Sequence, residues 1–143
     1  MPTRNHADVR WDPAGPTGLL FTATGGSGGR FVMESGAGHT HATPVEALIA
    51  ALGGCTGMDV ISVMRKKRQD VVSYELHVEG ERRDEHPRIF TSLEVVHRFR
   101  GRDLDAAAIA HAIELSATKY CTVHAMLATA GLSITSRFEI EAL

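Results

Sequence analysis

The stretch that decides the fold is Thr43-Pro44-Val45-Glu46-Ala47-Leu48-Ile49-Ala50-Ala51-Leu52-Gly53-Gly54-Cys55-Thr56-Gly57-Met58-Asp59-Val60. It opens with a helix start: Thr43 and Glu46 have the S/T-x-x-E spacing of a capping box, and Pro44 stands at the first helical position. Val45, Leu48, Ile49, Leu52, Met58, Ile61 and Met64 then recur at helical spacing. Arg65-Lys66-Lys67-Arg68 closes the segment with cations, which suit the negative pole of a helix. The pattern predicts a helix of about 25 residues, or roughly 37 Å at 1.5 Å per residue. Its middle is apolar nearly all round, the pattern of a buried helix.

Outward from this helix the chain reads as alternating short elements. Upstream, Leu19 to Thr24 and Arg30 to Glu34 read as strands separated by Gly25-Gly26-Ser27-Gly28-Gly29, with Val9 to Trp11 as a further strand. Residues 35–42 read as a loop. Downstream, Val72, Tyr74, Leu76 and Val78 alternate along one predicted strand, and Ile89, Leu93, Val95 and Phe99 along the next. The charged segment Gly80 to Arg88 joins them as a solvated loop. Asp103 or Asp105 caps a second helix running to about Ala117. A third helix runs from about Lys119 to Ala130 and stops at Gly131. Leu132, Ile134, Phe138 and Ile140 alternate along a last strand.

The chain has 143 residues, which suits a single domain over 1–143. With 15 Lys+Arg against 17 Asp+Glu, the net charge of −2 argues against nucleic acid as the main partner. Met1 to Trp11 carry no apolar run of the signal-peptide kind. Val45 to Met64 is interrupted by Glu46, Gly53, Gly54 and Asp59, so no membrane span is expected and the expected location is the cytoplasm. There are only two cysteines, too few for a disulfide scaffold or a thiolate metal site unaided. Neither metal nor cofactor is expected.

Both cysteines sit in informative places. Cys55 follows Gly53-Gly54 inside the long helix, and each such Gly costs about 1 kcal/mol relative to Ala. Close approach of another backbone, or room beside a reactive sulfur, would offset that cost; a seam of small packing residues is the plainer account. Asp59, four residues on, shares the Cys55 face and would raise its pKa. Cys121, in Lys119-Tyr120-Cys121-Thr122-Val123-His124, is expected at the start of the third helix. The positive pole there lowers a thiol pKa, and His124 lies on the same face. A half-buried structural Cys is the alternative. His39-Thr40-His41 reads as a solvated loop pair, and Arg82-Arg83-Asp84-Glu85 as a solvated turn.

The Thr43–Val60 stretch resembles the long-helix signature of the OsmC/Ohr family, in which a Pro leads an apolar helix to a Cys eleven residues later, as Pro44 leads to Cys55. Lys119 to His124 resembles the family's second motif, a Cys opening a late helix. Glu81-Arg82-Arg83-Asp84-Glu85-His86-Pro87-Arg88, ahead of a Phe-Thr strand, is similar to the YhfA-like branch. The resemblance implies an α/β (α+β) fold: an N-terminal β-meander, a long buried central helix, further strands and two helices, built as an intertwined homodimer. It further implies a hydroperoxide reductase, with Cys55 attacking the peroxide, Cys121 resolving the product, and an external dithiol as reductant. The alternative is a binding protein of the same fold that holds a small apolar ligand. The family's activating Arg corresponds to Arg30, with Arg10 as second choice. Its Glu directly after the Pro is replaced by Val45, and Glu46 comes one position later. Nine residues before Cys55, Glu46 lies about 180° around the helix from it. It therefore either serves a partner subunit or completes the capping box.

Overall fold

A computed structural model describes residues 2–143. The chain divides into two compact units, residues 1–48 and 49–143, and the long helix runs through the boundary.

The first unit is an antiparallel meander of β1 (Ala7–Asp12), β2 (Leu20–Gly25) and β3 (Arg30–Glu34), in that order. The glycine run does what its composition demands: Gly28 turns with a φ of 95°, and Gly25 and Gly29 close the hairpin at 2.8 Å.

Helix α1 spans Pro44–Lys66. Its capping box is complete: Glu46 N–H donates to Thr43 Oγ1 at 3.1 Å, and Thr43 N–H donates to Glu46 Oε1 at 2.8 Å. The apolar positions of α1 divide between a buried and an open face. Within one chain only the stripe Leu52, Gly53, Thr56, Gly57, Val60 and Met64 is buried, while Leu48 is exposed and Met58 is 73% exposed. By length and composition α1 is the one helix among the described residues apolar enough to cross a membrane. Its buried stripe identifies it as a core helix.

The second unit carries a mixed sheet of order β4-β5-β6, with β4 (Asp70–Arg82) antiparallel and β6 (Ser133–Ala142) parallel to the central β5 (Phe90–Arg102). The parallel pair requires a crossover, supplied by α2 (Ala106–Leu115), a π-helical turn (Ser116–Tyr120) and α3 (Thr122–Thr129). Three boundaries differ from expectation. β4 continues to Arg82, so the charged connection is shorter than Gly80 to Arg88. A bulge between Val71 and Ser73 turns Val72 out to solvent and sends Val71 to the core instead. Ile89 precedes β5 and is exposed, while His97, between Val95 and Phe99 on the inward face, is buried.

Two apolar clusters fill this unit. Val60, Met64, Phe99, Ala108, Ile109 and Ala112 form one; Leu52, Leu93, Val95 and Cys121 form the other. Each fully buried Val, Leu or Phe contributes roughly 1.5–3 kcal/mol. The small residues of α1 let the helix settle on β4: a Cβ on Gly53 would meet Val78 at 3.2 Å, and one on Gly57 would meet Leu76 at 2.9 Å. The approach is by strand side chains, not by backbone. Gly54, next to Cys55, has nothing within 4 Å of its Cβ position.

Candidate functional site

Cys55 lies at the edge of the buried α1 stripe, half-buried, and packs against the cluster that contains Cys121. Both thiols are free. Helical periodicity and the crossover thus bring together two cysteines 66 positions apart in sequence.

The crossover fixes Cys121 through an irregular turn. Instead of a helix running to Ala117 and another starting at Lys119, α2 ends at Leu115 and widens into the π turn, where Cys121 N–H donates to Ser116 O at 2.8 Å, five residues back. Cys121 is therefore the N-cap of α3 and not its first turn. Its sulfur accepts from His124 N–H at 3.3 Å and lies 3.6 Å from Thr56 Oγ1 on α1. Ser116 Oγ donates to Asp59 Oδ2 at 3.0 Å, tying the turn to α1 one helical turn beyond Cys55. The Asp59 carboxylate is thus engaged by the Ser116 hydroxyl.

Of the two readings of Cys121, the buried thiol is the one the structure favours. The helix terminus does supply an N–H to the sulfur, but Cys121 is only 3% exposed. Burial pushes the thiol above its ordinary value, the neighbouring Cys55 sulfur adds to this, and the His124 and Thr56 hydrogen bonds only partly oppose it. Cys121 is thus held as a neutral thiol. A shallow pocket of about 450 Å³ beside it is lined by Lys119, Tyr120, Cys121, Ala125 and Met126. The ring of His124, three residues on, buries a nitrogen, Nδ1, that has no partner.

Arg10 and Arg30 are both exposed, on β1 and at the start of β3. Glu46 is committed to its own helix start, where the Thr43 backbone and hydroxyl hold its carboxyl below the usual range.

Residues 35–42 are more ordered than a solvated loop. Glu34, only 1% exposed, accepts from Thr17 Oγ1 at 3.0 Å, Thr40 N–H at 3.0 Å, His41 N–H at 3.4 Å and His41 Nδ1 at 3.0 Å. His41 first, then the Thr40 amide, holds its carboxyl down to about 2. Sequence reasoning missed Glu34, Thr56 and Ser116. Thr56 carried a usable signal, a hydroxyl in register with Leu52, Val60 and Met64; Ser116 carried none. Among the described residues no three or more His, Cys, Asp or Glu side chains gather in a way suited to a metal ion.

Comparison with known proteins sorts these features. The pattern described as OsmC-like protein matches residues 36–137, from before α1 through the first half of β6. The chain belongs to the OsmC-like family. It is 41% identical to Protein YhfA of Escherichia coli over 136 residues, covering 95% of this chain and 98% of that protein. A hypothetical protein from Aquifex aeolicus superposes with a TM-score of 0.81 at 25% identity, covering 98% of this chain and 99% of the other. The organic hydroperoxide resistance protein OhrB of Bacillus subtilis shares the fold, with a TM-score of 0.60 at 14% identity over 96% of this chain and 98% of its own. Two sheets and three α-helices in this order are therefore the family's architecture, as the two cysteine motifs implied.

Proposed function

We propose that the chain is a thiol-dependent hydroperoxide reductase working through the Cys55/Cys121 dithiol. The observation that carries this reading is the convergence of the two thiols in one cluster with unequal surroundings. Cys55 stands at the open edge beside Gly54; Cys121 is buried and kept protonated. That inequality suits two successive steps. The Cys55 thiolate attacks one peroxide oxygen, the O–O bond breaks, and the alkoxide leaves as an alcohol after taking a proton. The Cys121 thiol then condenses with the Cys55 sulfenic acid, forming the disulfide and releasing water. An external dithiol restores both thiols by exchange.

Arg30 is the first candidate for the cation that favours the Cys55 thiolate, and Arg10 the second, both on the strength of family order. The protein acts as a cytoplasmic homodimer in this reading. The uncovered outer face of α1, with Leu48 and Met58, supports a partner copy, as exposed apolar patches usually mark interfaces. Burial above roughly 2,000 Å² in total is expected, and a monodisperse monomer in sedimentation at micromolar concentration would refute it.

One observation favours the second reading, a binding protein for a small apolar ligand. Val45 occupies the position of the family Glu, and the Glu46 carboxylate is spent on the helix cap. Stopped-flow peroxide loss with intact mass separates the two. In the reductase, Cys55→Ser abolishes consumption, while Cys121→Ser allows one turnover before Cys55 proceeds to the sulfinic acid. In the binder, wild type reacts no faster than free cysteine.

A further inference from the structure

We propose that Ser116 and Asp59 are positioning residues that hold the Cys121 thiol against Cys55. The inference rests on the dithiol reading and names what keeps the couple in register. Cys55 rides on α1, whereas Cys121 lies on the separate crossover between β5 and β6. Apolar packing brings the two elements together but is non-directional. Two polar contacts fix their register. Ser116 Oγ donates to Asp59 Oδ2 at 3.0 Å, and Thr56 Oγ1 lies 3.6 Å from Cys121 Sγ. On α1, Thr56 follows Cys55 directly and Asp59 stands about one helical turn beyond it.

The π turn makes Ser116 the shared partner. In a regular α-helix the Cys121 N–H would bond to the carbonyl of Ala117, four residues back. The widened turn carries it to Ser116 O at 2.8 Å instead. One buried residue thereby grips Cys121 with its carbonyl and α1 with its hydroxyl. The circuit runs from Asp59 along α1 to Thr56, across to the Cys121 sulfur, along the backbone to Ser116 and back to Asp59. Neither polar side chain is otherwise favoured here. A hydroxyl without solvent contact is costly unless bonded, and a carboxylate on the Cys55 face opposes thiolate formation. The latch accounts for both. It acts on the second chemical step, in which the Cys121 sulfur must meet the Cys55 sulfur, and not on the first attack by Cys55.

The test uses dithionitrobenzoate in place of peroxide. The Cys55 thiolate attacks the reagent and releases one thionitrobenzoate. Cys121 then attacks the mixed disulfide at the Cys55 sulfur and loses its proton to solvent. The bond from Cys55 to the reagent sulfur breaks, and the second thionitrobenzoate leaves. This second release is first order and independent of reagent concentration. The proposal expects it to slow about tenfold in Ser116→Ala and in Asp59→Ala, and no further in the double variant, because the same contact is lost each time. Asp59→Asn keeps an oxygen for the Ser116 hydroxyl and stays within about threefold of wild type. The first release is no slower in any of these variants, and Asp59→Ala stands as the test if Ser116→Ala does not fold. Slowing of less than about threefold in both Ala variants, or effects that multiply in the double variant, overturns the proposal. So does an Asp59→Asn as slow as Asp59→Ala, or a first release slowed by the same factor as the second. A wild type without a concentration-independent second release overturns the dithiol reading and the latch with it. The expected variant pattern in a protein that consumes no peroxide sustains the latch and overturns only the reductase reading.

Discussion

Glu34 and Cys121 are equally hidden, at 1% and 3% exposure, and burial drives their ionisation in the same direction. Their outcomes are opposite. Glu34 sits at the end of β3 with four donors on its two oxygens and stays charged, with a pKa held down to about 2. Cys121 receives one backbone N–H and a long contact to a hydroxyl, with a second sulfur beside it, and stays neutral. Burial alone therefore does not set the charge of an acidic group. The number of donors aimed at the anion decides, and a single helix-terminal N–H does not outweigh desolvation. In the first unit the result is a structural anchor for residues 35–42; in the second it is a thiol held in its neutral form.

The largest expected effect on stability comes from removing the anchor. Glu34→Leu leaves Thr17, Thr40 and His41 donors without their acceptor. We expect a clear drop in Tm, early proteolysis within residues 35–42, and partial rescue by Gln; an unchanged Tm would dissolve the contrast with Cys121. A smaller effect follows from pH. The folded-state pKa of Glu34 lies below its ordinary value of 4.5, so its stabilising contribution is complete above about 4.5 and is lost as pH falls towards about 2. Hydrogen exchange of the Thr40 and His41 amides should accelerate in that window, and Glu34→Gln should flatten the dependence. The smallest effect is at Cys121. Thr56→Val removes the hydroxyl 3.6 Å from its sulfur. In a Cys55→Ser background this should slow Cys121 alkylation by about threefold, in keeping with a weak neutral hydrogen bond. A faster reaction would show that Thr56 favours the neutral thiol.

The two regions also differ in how far their sequence announced them. The start of α1 was legible because Thr43, Pro44 and Glu46 act within one turn, and the cap forms as that spacing requires. The β1–β3 meander was legible for the same reason, its turns lying between adjacent strands. Glu34 was not, because Thr17 lies 17 residues before it and His41 seven after, and nothing local marks a carboxylate that folding will surround with donors. The π turn was hidden too: an i→i+5 bond from Cys121 to Ser116 leaves the apolar pattern of α2 intact and only displaces the next helix start. The α1 outer face differs again. Periodicity registered its apolar residues but not what covers them, and within one chain Met58 stays open.

The central claim is that Cys55 and Cys121 act in sequence as one redox couple. Its most direct test is peptide mapping under non-reducing conditions after one equivalent of an aromatic organic hydroperoxide. The account predicts an intrachain disulfide between Cys55 and Cys121, with the protein lighter by two hydrogen atoms and both thiols recovered on reduction. Two freely alkylated thiols after exposure, or an oxidised Cys121 beside an intact Cys55, would contradict it.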